Sequence, residues 1–363
     1  MSEPVLWRTE SGHAVEVLPA PASRFHSPLA KALSLCSVLS MLAFAAPLHA
    51  QTADAAAASY AIESPKAAQG LLLDVVHAGK RLVAVGDRGH ILFSDDDGKT
   101  WTQAKVPTRQ LLTAVFFVDD KKGWAVGHDA QILASEDGGA TWTQQYSDLE
   151  REEGAPFLDV WFRDATTGFV VGAYGALFET TDGGKSWNDV GDRMNNEDGY
   201  HLNAIAEVKD AGLFAVGEMG SMFRSADWGQ TWETLSGPYQ GSLFGVLGTA
   251  QPQTLIVYGL RGNLFRSTDF GTTWQAIELN TSSGPLEFGL ANGTLLPDGS
   301  LVVVGHGGSL LKSTDDGRSF SVQNRPDRLS LAGVTTDGKG DLILVGQGGV
   351  HVSSPTGAIQ GQQ

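Results

Sequence analysis

Along most of the chain, hydrophobic and polar positions alternate in short runs, separated by clusters of Gly, Asp, Asn and Ser. A two-residue period in runs this short predicts half-buried β-strands joined by tight turns. In its first stretch the pattern yields four strands: Leu71–His77, Arg81–Val85, His90–Ser94 and Thr100–Lys105. The stretch then recurs. The segment running from Gly86 through Gly89, Ile91, Ser94, Asp96 and Gly98 to Trp101 has equivalents that start at Gly127, Gly172, Gly217, Gly259, Gly305 and Gly346. Their spacing of 41 to 46 residues is the length of one four-stranded propeller blade. The expected fold is all-β, a seven-bladed β-propeller of four-stranded antiparallel blades over residues 59–354.

The first strand of each unit sets a small or short residue before an aliphatic one: Asp74 before Val75, Ala114 before Val115, Asp159 before Val160, Ala204 before Ile205, Gly245 before Val246, Gly289 before Leu290 and Gly333 before Val334. Strands crowding round a central axis have room for little else. Between the third and outer strands, six units carry an Asp-box, Ser/Thr-x-Asp-x-Gly-x-Ser/Thr-Trp/Phe. Its acids are Asp96, Asp137, Asp182, Asp227, Asp269 and Asp315, and its rings are Trp101, Trp142, Trp187, Trp232, Trp274 and Phe320. The carboxylate accepts N–H bonds inside its own turn, the Gly takes the positive-φ position, and the ring is expected to pack between blades. These acids are read as structural. The seventh unit lacks the box acid, and only a polar tail, 355–363, follows it. A blade without its outer strand exposes an edge. The alternating segment Ser59–Ser64 is the expected donor of that strand from the N-terminal side, with the C-terminal tail as its competitor.

Ahead of the repeats, Lys31 precedes the apolar run Ala32–Ala46 and then Pro47, Leu48, His49 and Ala50. This is the pattern of a secretory signal cleaved after Ala50, and the run falls short of the roughly 20 residues a spanning helix needs. Residues 1–50 are therefore expected to be a leader, and residues 51–58 a flexible mature N-terminus. The polar stretch before Lys31 is consistent with a translation start nearer Val15–Leu18. A periplasmic location follows as an expectation, without membrane insertion once the signal is gone. The sole cysteine, Cys36, lies in this leader, so the mature chain has no disulfide, thiolate metal site or cysteine nucleophile. Net charge is −16. An excess of acid on this scale repels phosphate backbones and anionic lipid surfaces, which argues against a nucleic-acid partner.

While the scaffold repeats faithfully, the loops between second and third strands vary: Asp87 and Arg88, His128 and Asp129, Ala173 and Tyr174, Glu218 and Met219, Leu260 and Arg261, His306, and Gln347. Variable loops on a fixed scaffold are where binding is expected. The candidate binding face is therefore Asp87, Arg88, His128, Asp129, Tyr174, Glu218, Arg261, His306 and Gln347. Two long polar connections, 144–156 and 189–201, border it. No two-His ligand spacing suggests a metal site, and no cofactor motif is present. A sialidase-like enzyme would need an arginine cluster and a Tyr/Glu nucleophile pair, which the few tyrosines and the first blade do not supply. A carbohydrate-binding or glycoside-hydrolysing propeller stays open as the alternative to a non-enzymatic binding protein.

The Gly-x-x-Gly-x-Leu/Ile loop followed by the Ser-x-Asp-x-Gly-x-Thr-Trp box resembles the photosystem II stability/assembly factor family of exported seven-bladed propellers, over about residues 59–354. The resemblance implies a non-enzymatic protein that assists assembly of a membrane-protein complex. In phototrophs the family binds a reaction-centre subunit through an arginine-rich patch; elsewhere the complex could equally be a transporter. This chain departs from that patch, because Arg88, Arg224, Arg261 and Arg266 lie scattered in an acidic excess.

Overall fold

The computed structural model describes residues 59–151 and 154–355. The expected leader, its cleavage site and Cys36 lie outside the described residues, as do residues 51–58, Glu152, Glu153 and the tail from Thr356 onward. Seven antiparallel sheets follow one another along the chain. Their first strands are Leu72–Ala78, Leu112–Phe117, Phe157–Phe162, Leu202–Val208, Leu243–Gly248, Leu290–Leu295 and Leu331–Thr336. Six sheets have four strands in chain order and the seventh has three, which gives the expected seven-bladed propeller. Outer strands are short, as at Thr102–Gln103 and Asn188–Asp189. A small extra hairpin, Asn280–Thr281 with Gly284–Pro285, follows blade 5.

Each seam between neighbouring blades buries its own apolar cluster. Blades 2 and 3 share Trp124, Val126, Phe157 and Phe178, and Trp124 stacks on Phe162 at 3.4 Å between centroids. Blades 7 and 1 share Ile343, Val345, Leu72, Val75 and Leu82, so packing closes the ring. At about 1.5–3 kcal/mol for each fully buried Val, Leu or Phe, these seams dominate the favourable side of folding. Every box ring enters the seam with the preceding blade, Trp101 with blade 7 and Trp142 with blade 1. The box turns have the expected bonding. Ser94 Oγ accepts from Gly98 N at 2.9 Å, and Asp96 accepts from Thr100 N at 2.9 Å and Thr100 Oγ1 at 2.6 Å.

Two expectations need correction. Ser59–Ser64 does not complete blade 7. It runs along the outer edge of blade 1, where Ala61 N donates to Val106 O at 2.9 Å and Arg109 Nε donates to Tyr60 O at 2.9 Å. The Gln103 side chain holds it there, accepting from Ser64 N and donating to Ile62 O. Second, the blade 6 counterpart of Asp74 before Val75 is Asn292 before Gly293. All seven first strands skip one residue in register on their partner, between Leu72 and Asp74 in blade 1 and between Leu290 and Asn292 in blade 6. A β-bulge of this kind re-aims the residue that follows it, and aligning the bulges moves the equivalence three residues past Gly289.

Candidate functional site

The loop between second and third strands is one device built seven times. Its first residue donates a backbone bond to the residue preceding the first strand: Asp87 to Leu71, His128 to Leu111, Ala173 to Pro156, Glu218 to His201, Leu260 to Ser242, His306 to Gly289 and Gln347 to Ser330. The glycine just before it must be glycine because of this close approach. A Cβ on Gly86 would lie 2.2 Å from Leu71 O, and one on Gly127 would lie 2.2 Å from Leu111 O. The second loop residue is left-handed in every blade: Arg88, Asp129, Tyr174, Met219, Arg261, Gly307 and Gly348 have φ between 53° and 79°. Five of the seven are not glycine, although the left-handed state costs a side-chain-bearing residue about 1–2 kcal/mol. The turn thrusts their side chains outward.

The nine expected binding residues thus form a ring around this face, one or two per blade. Across blades, only those of blades 3 and 4 meet, through His201. The Tyr174 ring lies edge-on to His201 at 4.9 Å, and His201 accompanies Glu218, with Nδ1 3.7 Å from Oε1 and its backbone N donating to Oε2 at 3.2 Å. Arg88 pairs with its neighbour Asp87 at 3.4 Å. Asp129 is tied into the long connection, its N bonded to Gly154 O and its O to Asp148 N. Gln347 caps Ser330 N. Of the four arginines considered for a patch, two are structural. Arg224 binds Glu233 and Phe270 O, and Arg266 binds Asp316 at 2.8 Å.

Sequence reasoning overlooked the apolar character of this face. Eight large apolar side chains are exposed among the described residues. Tyr174, Met219 and Leu260 sit in the left-handed loops, and Leu71, Leu149 and Phe288 in the neighbouring blade connections; Tyr60 and Ile62 belong to the N-terminal segment. The opposite end, with its boxes and first hairpins, has none of them.

It also overlooked the axis. A cavity of about 330 Å³ is walled by first strands from all seven blades. Asp74 accepts from Val75 N at 2.9 Å, from Val115 N of blade 2 at 3.0 Å and from Asn292 Nδ2 of blade 6 at 3.3 Å. Asp159 accepts from Val160 N at 2.8 Å and from Ile205 N of blade 4 at 2.9 Å. Enclosure by the ring leaves both half-buried in a narrow space. Burial pushes Asp74 up to about 6, against the pull of its N–H donors, and Asp159 up to about 7. Burial likewise raises Tyr258, with Asp159 and Asp74 adding to the effect. Among the described residues no group of three or more His, Cys, Asp or Glu converges as metal ligands, and no helix is long and apolar enough to cross a membrane.

A family model, that of the photosynthesis system II assembly factor YCF48, matches residues 93–157 and 146–287, more than half of the chain. The chain belongs to this family. Solved YCF48 structures share its fold. "YCF48 bound to D1 peptide" is 18% identical with a TM-score of 0.62, covering 83% of this chain and 96% of that one. YCF48 from Cyanidioschyzon merolae is 16% identical with a TM-score of 0.61, covering 81% and 97%. A GH74 xyloglucanase from Xanthomonas campestris is 14% identical with a TM-score of 0.58, covering 81% of this chain and 53% of its own. No curated protein matches. At these identities the structural likenesses establish the propeller and nothing finer.

Proposed function

We propose that this YCF48-family propeller is exported to the periplasm and docks a segment of a membrane-protein complex on its left-handed loop face, without chemistry of its own. The observation that carries the reading is the segregation of exposed apolar side chains to that face. Six of the eight lie there, and two of them, Tyr174 and Met219, stand at left-handed positions of the loops. Apolar anchors inside a polar rim are how protein interfaces gain affinity. The peptide complex of the solved YCF48 relative supports a peptide segment as the thing bound. Rim groups such as Arg88, His128 and Arg261 would tune encounter and salt dependence more than affinity.

The test is in-cell crosslinking followed by affinity purification of the mature protein from solubilised membranes. One stoichiometric membrane-protein partner is expected, with recovery falling at least tenfold in a Tyr174→Ala, Met219→Ala, Leu260→Ser variant whose melting is unchanged. The Arg88→Ala, His128→Ala, Arg261→Ala variant should lose less. Failure of any partner to copurify, or undiminished recovery by the apolar variant, overturns the docking reading. The likeness to a xyloglucanase keeps one alternative in view, a carbohydrate-binding or hydrolysing propeller, and glycan binding with no protein partner would favour it.

A further inference from the structure

The repeat breaks in two places, and the breaks meet in the axial cavity. The residue before the loop glycine is Val85, Val126, Val171, Val216, Val304 and Val345 in six blades, but Tyr258 in blade 5. The aliphatic residue of the first strand is Val75, Val115, Val160, Ile205, Val246 and Val334 in six blades, but Gly293 in blade 6. One break makes room for the other. A Cβ on Gly293 would lie 3.1 Å from the Tyr258 hydroxyl, and the ring also crosses Gly245. Tyr258 is 2% exposed and lines the cavity. Its hydroxyl has no hydrogen-bond partner among the described residues, and nor do the amide oxygens of Asn203 and Asn292, which line the same cavity. Where six blades place a valine, blade 5 thus presents a hydroxyl to the cavity with no protein group to meet it.

The walls are one-sided in charge. Asp74, Asp159 and Glu207 face the space together with Tyr258, no Lys, Arg or His does, and the strands from blades 2, 6 and 7 bring no titratable group. The carboxylates have lone pairs to spare. Asp159 uses two for backbone donors and Asp74 three, of the roughly four that each offers. Phe116 and Phe244 line the cavity too, and aromatic faces attract cations. The space is larger than a bare ion fills.

We propose that the axial cavity binds a small organic ammonium ion, held by the Asp74 and Asp159 carboxylates and the Tyr258 hydroxyl against the Phe116 and Phe244 rings. Its N–H groups would meet the idle acceptors and its charge the uncompensated acids. Protons compete for the same carboxylates, so binding strengthens as pH rises through the 6–7 range of Asp74 and Asp159. This site is separate from the docking face, and its test needs no partner protein.

Isothermal titration of the folded mature protein with butylammonium and putrescine, and with sodium and calcium as rivals, decides it. An amine should bind at about pH 8, at least tenfold more weakly at about pH 5, and at least tenfold more weakly in Asp159→Asn. Tyr258→Phe, which keeps the ring and the packing, should weaken it severalfold. Absence of amine binding at pH 8 would mean a cavity that holds only water and overturns the proposal. So does an affinity untouched by both variants, which would mark adsorption to the acidic surface. Sodium or calcium binding as tightly as the amines overturns the organic class.

Discussion

Both ends of the blades put bulky residues into the left-handed backbone state, and the two ends treat them differently. In the box hairpins of blades 4 and 5, Trp228 and Phe270 sit at φ 60° and 54°. Trp228 stacks on Trp161 at 6.1 Å with Arg163 over its face, and Phe270 packs edge-on to Phe214 and is only 9% exposed. At the other end Tyr174 and Met219 have φ 55° and 53° but are 55% and 58% exposed. The strain is the same in kind. At the box end ring packing offsets it, whereas at the loop end Tyr174 keeps only its edge-on contact with His201 and Met219 stands exposed. Carboxylates divide in the same way. Asp96 in its box is held down to about 2, chiefly by the Thr100 hydroxyl, whereas burial drives Asp159 in the cavity up to about 7. Local conflict that the fold does not resolve is where binding is to be sought.

The largest expected effect comes from undoing the compensation at the box end. Trp142 is 3% exposed, fills the seam between blades 1 and 2 against Phe117, and donates its indole N–H to Gly139 O at 2.9 Å. Trp142→Ala should lose about 3–5 kcal/mol by urea denaturation, the range for emptying a buried aromatic site. A loss under 1 kcal/mol would show that the boxes do not fasten the seams, and the contrast between the ends would collapse.

Next in size is the unresolved charge in the cavity. Asp159 binds its proton more tightly folded than unfolded, so the folded state gains protons between pH 3.8 and about 7 and its stability falls as pH rises through that window. At about 1.4 kcal/mol per pH unit the full swing is about 4 kcal/mol. Asp96 runs the other way, lending stability above its unfolded value that disappears as pH falls toward 2. Melting temperatures of wild type and Asp159→Asn, compared from pH 4 to pH 8, should therefore diverge, with the variant flatter. Parallel curves would mean that Asp159 stays ionised and solvated, like a box acid.

These contrasts were unevenly legible in the sequence. The blades, their number and the box hydrogen bonds could be read because turn chemistry is local: Ser94, Asp96, Gly98 and Thr100 find one another within seven residues. The variable loops could be read as one repeated device, and all seven carry the left-handed turn. What failed was long-range. The edge that Ser59–Ser64 covers depends on the Gln103 side chain reaching it, not on its own alternation. Asp74 and Asp159 passed as merely short residues, and the Gly289 equivalence hid Asn292, because only the bulge register aligns them round the axis. Tyr258 was legible in the repeat as the one residue before a loop glycine that is not valine, but only the closed ring brings it to the axial cavity.

The smallest expected effect is the most direct test of what the loop end is for. In Met219→Gly, relief of the left-handed conformation is worth about 1–2 kcal/mol, and the freer unfolded glycine gives back about 0.5–1 kcal/mol. With a side chain 58% exposed, little packing is lost. The variant should be more stable than wild type by about 0.5 kcal/mol, read as a rise of the denaturation midpoint at unchanged slope. The equivalent Phe270→Gly at the box end should be destabilised, since there the lost contacts with Phe214 outweigh the same relief. If Met219→Gly gains stability and loses recovery of the membrane partner, the strained turn exists to display its side chain. If it loses stability instead, Met219 makes packing contacts that matter to the fold, and the loop end is as structural as the boxes.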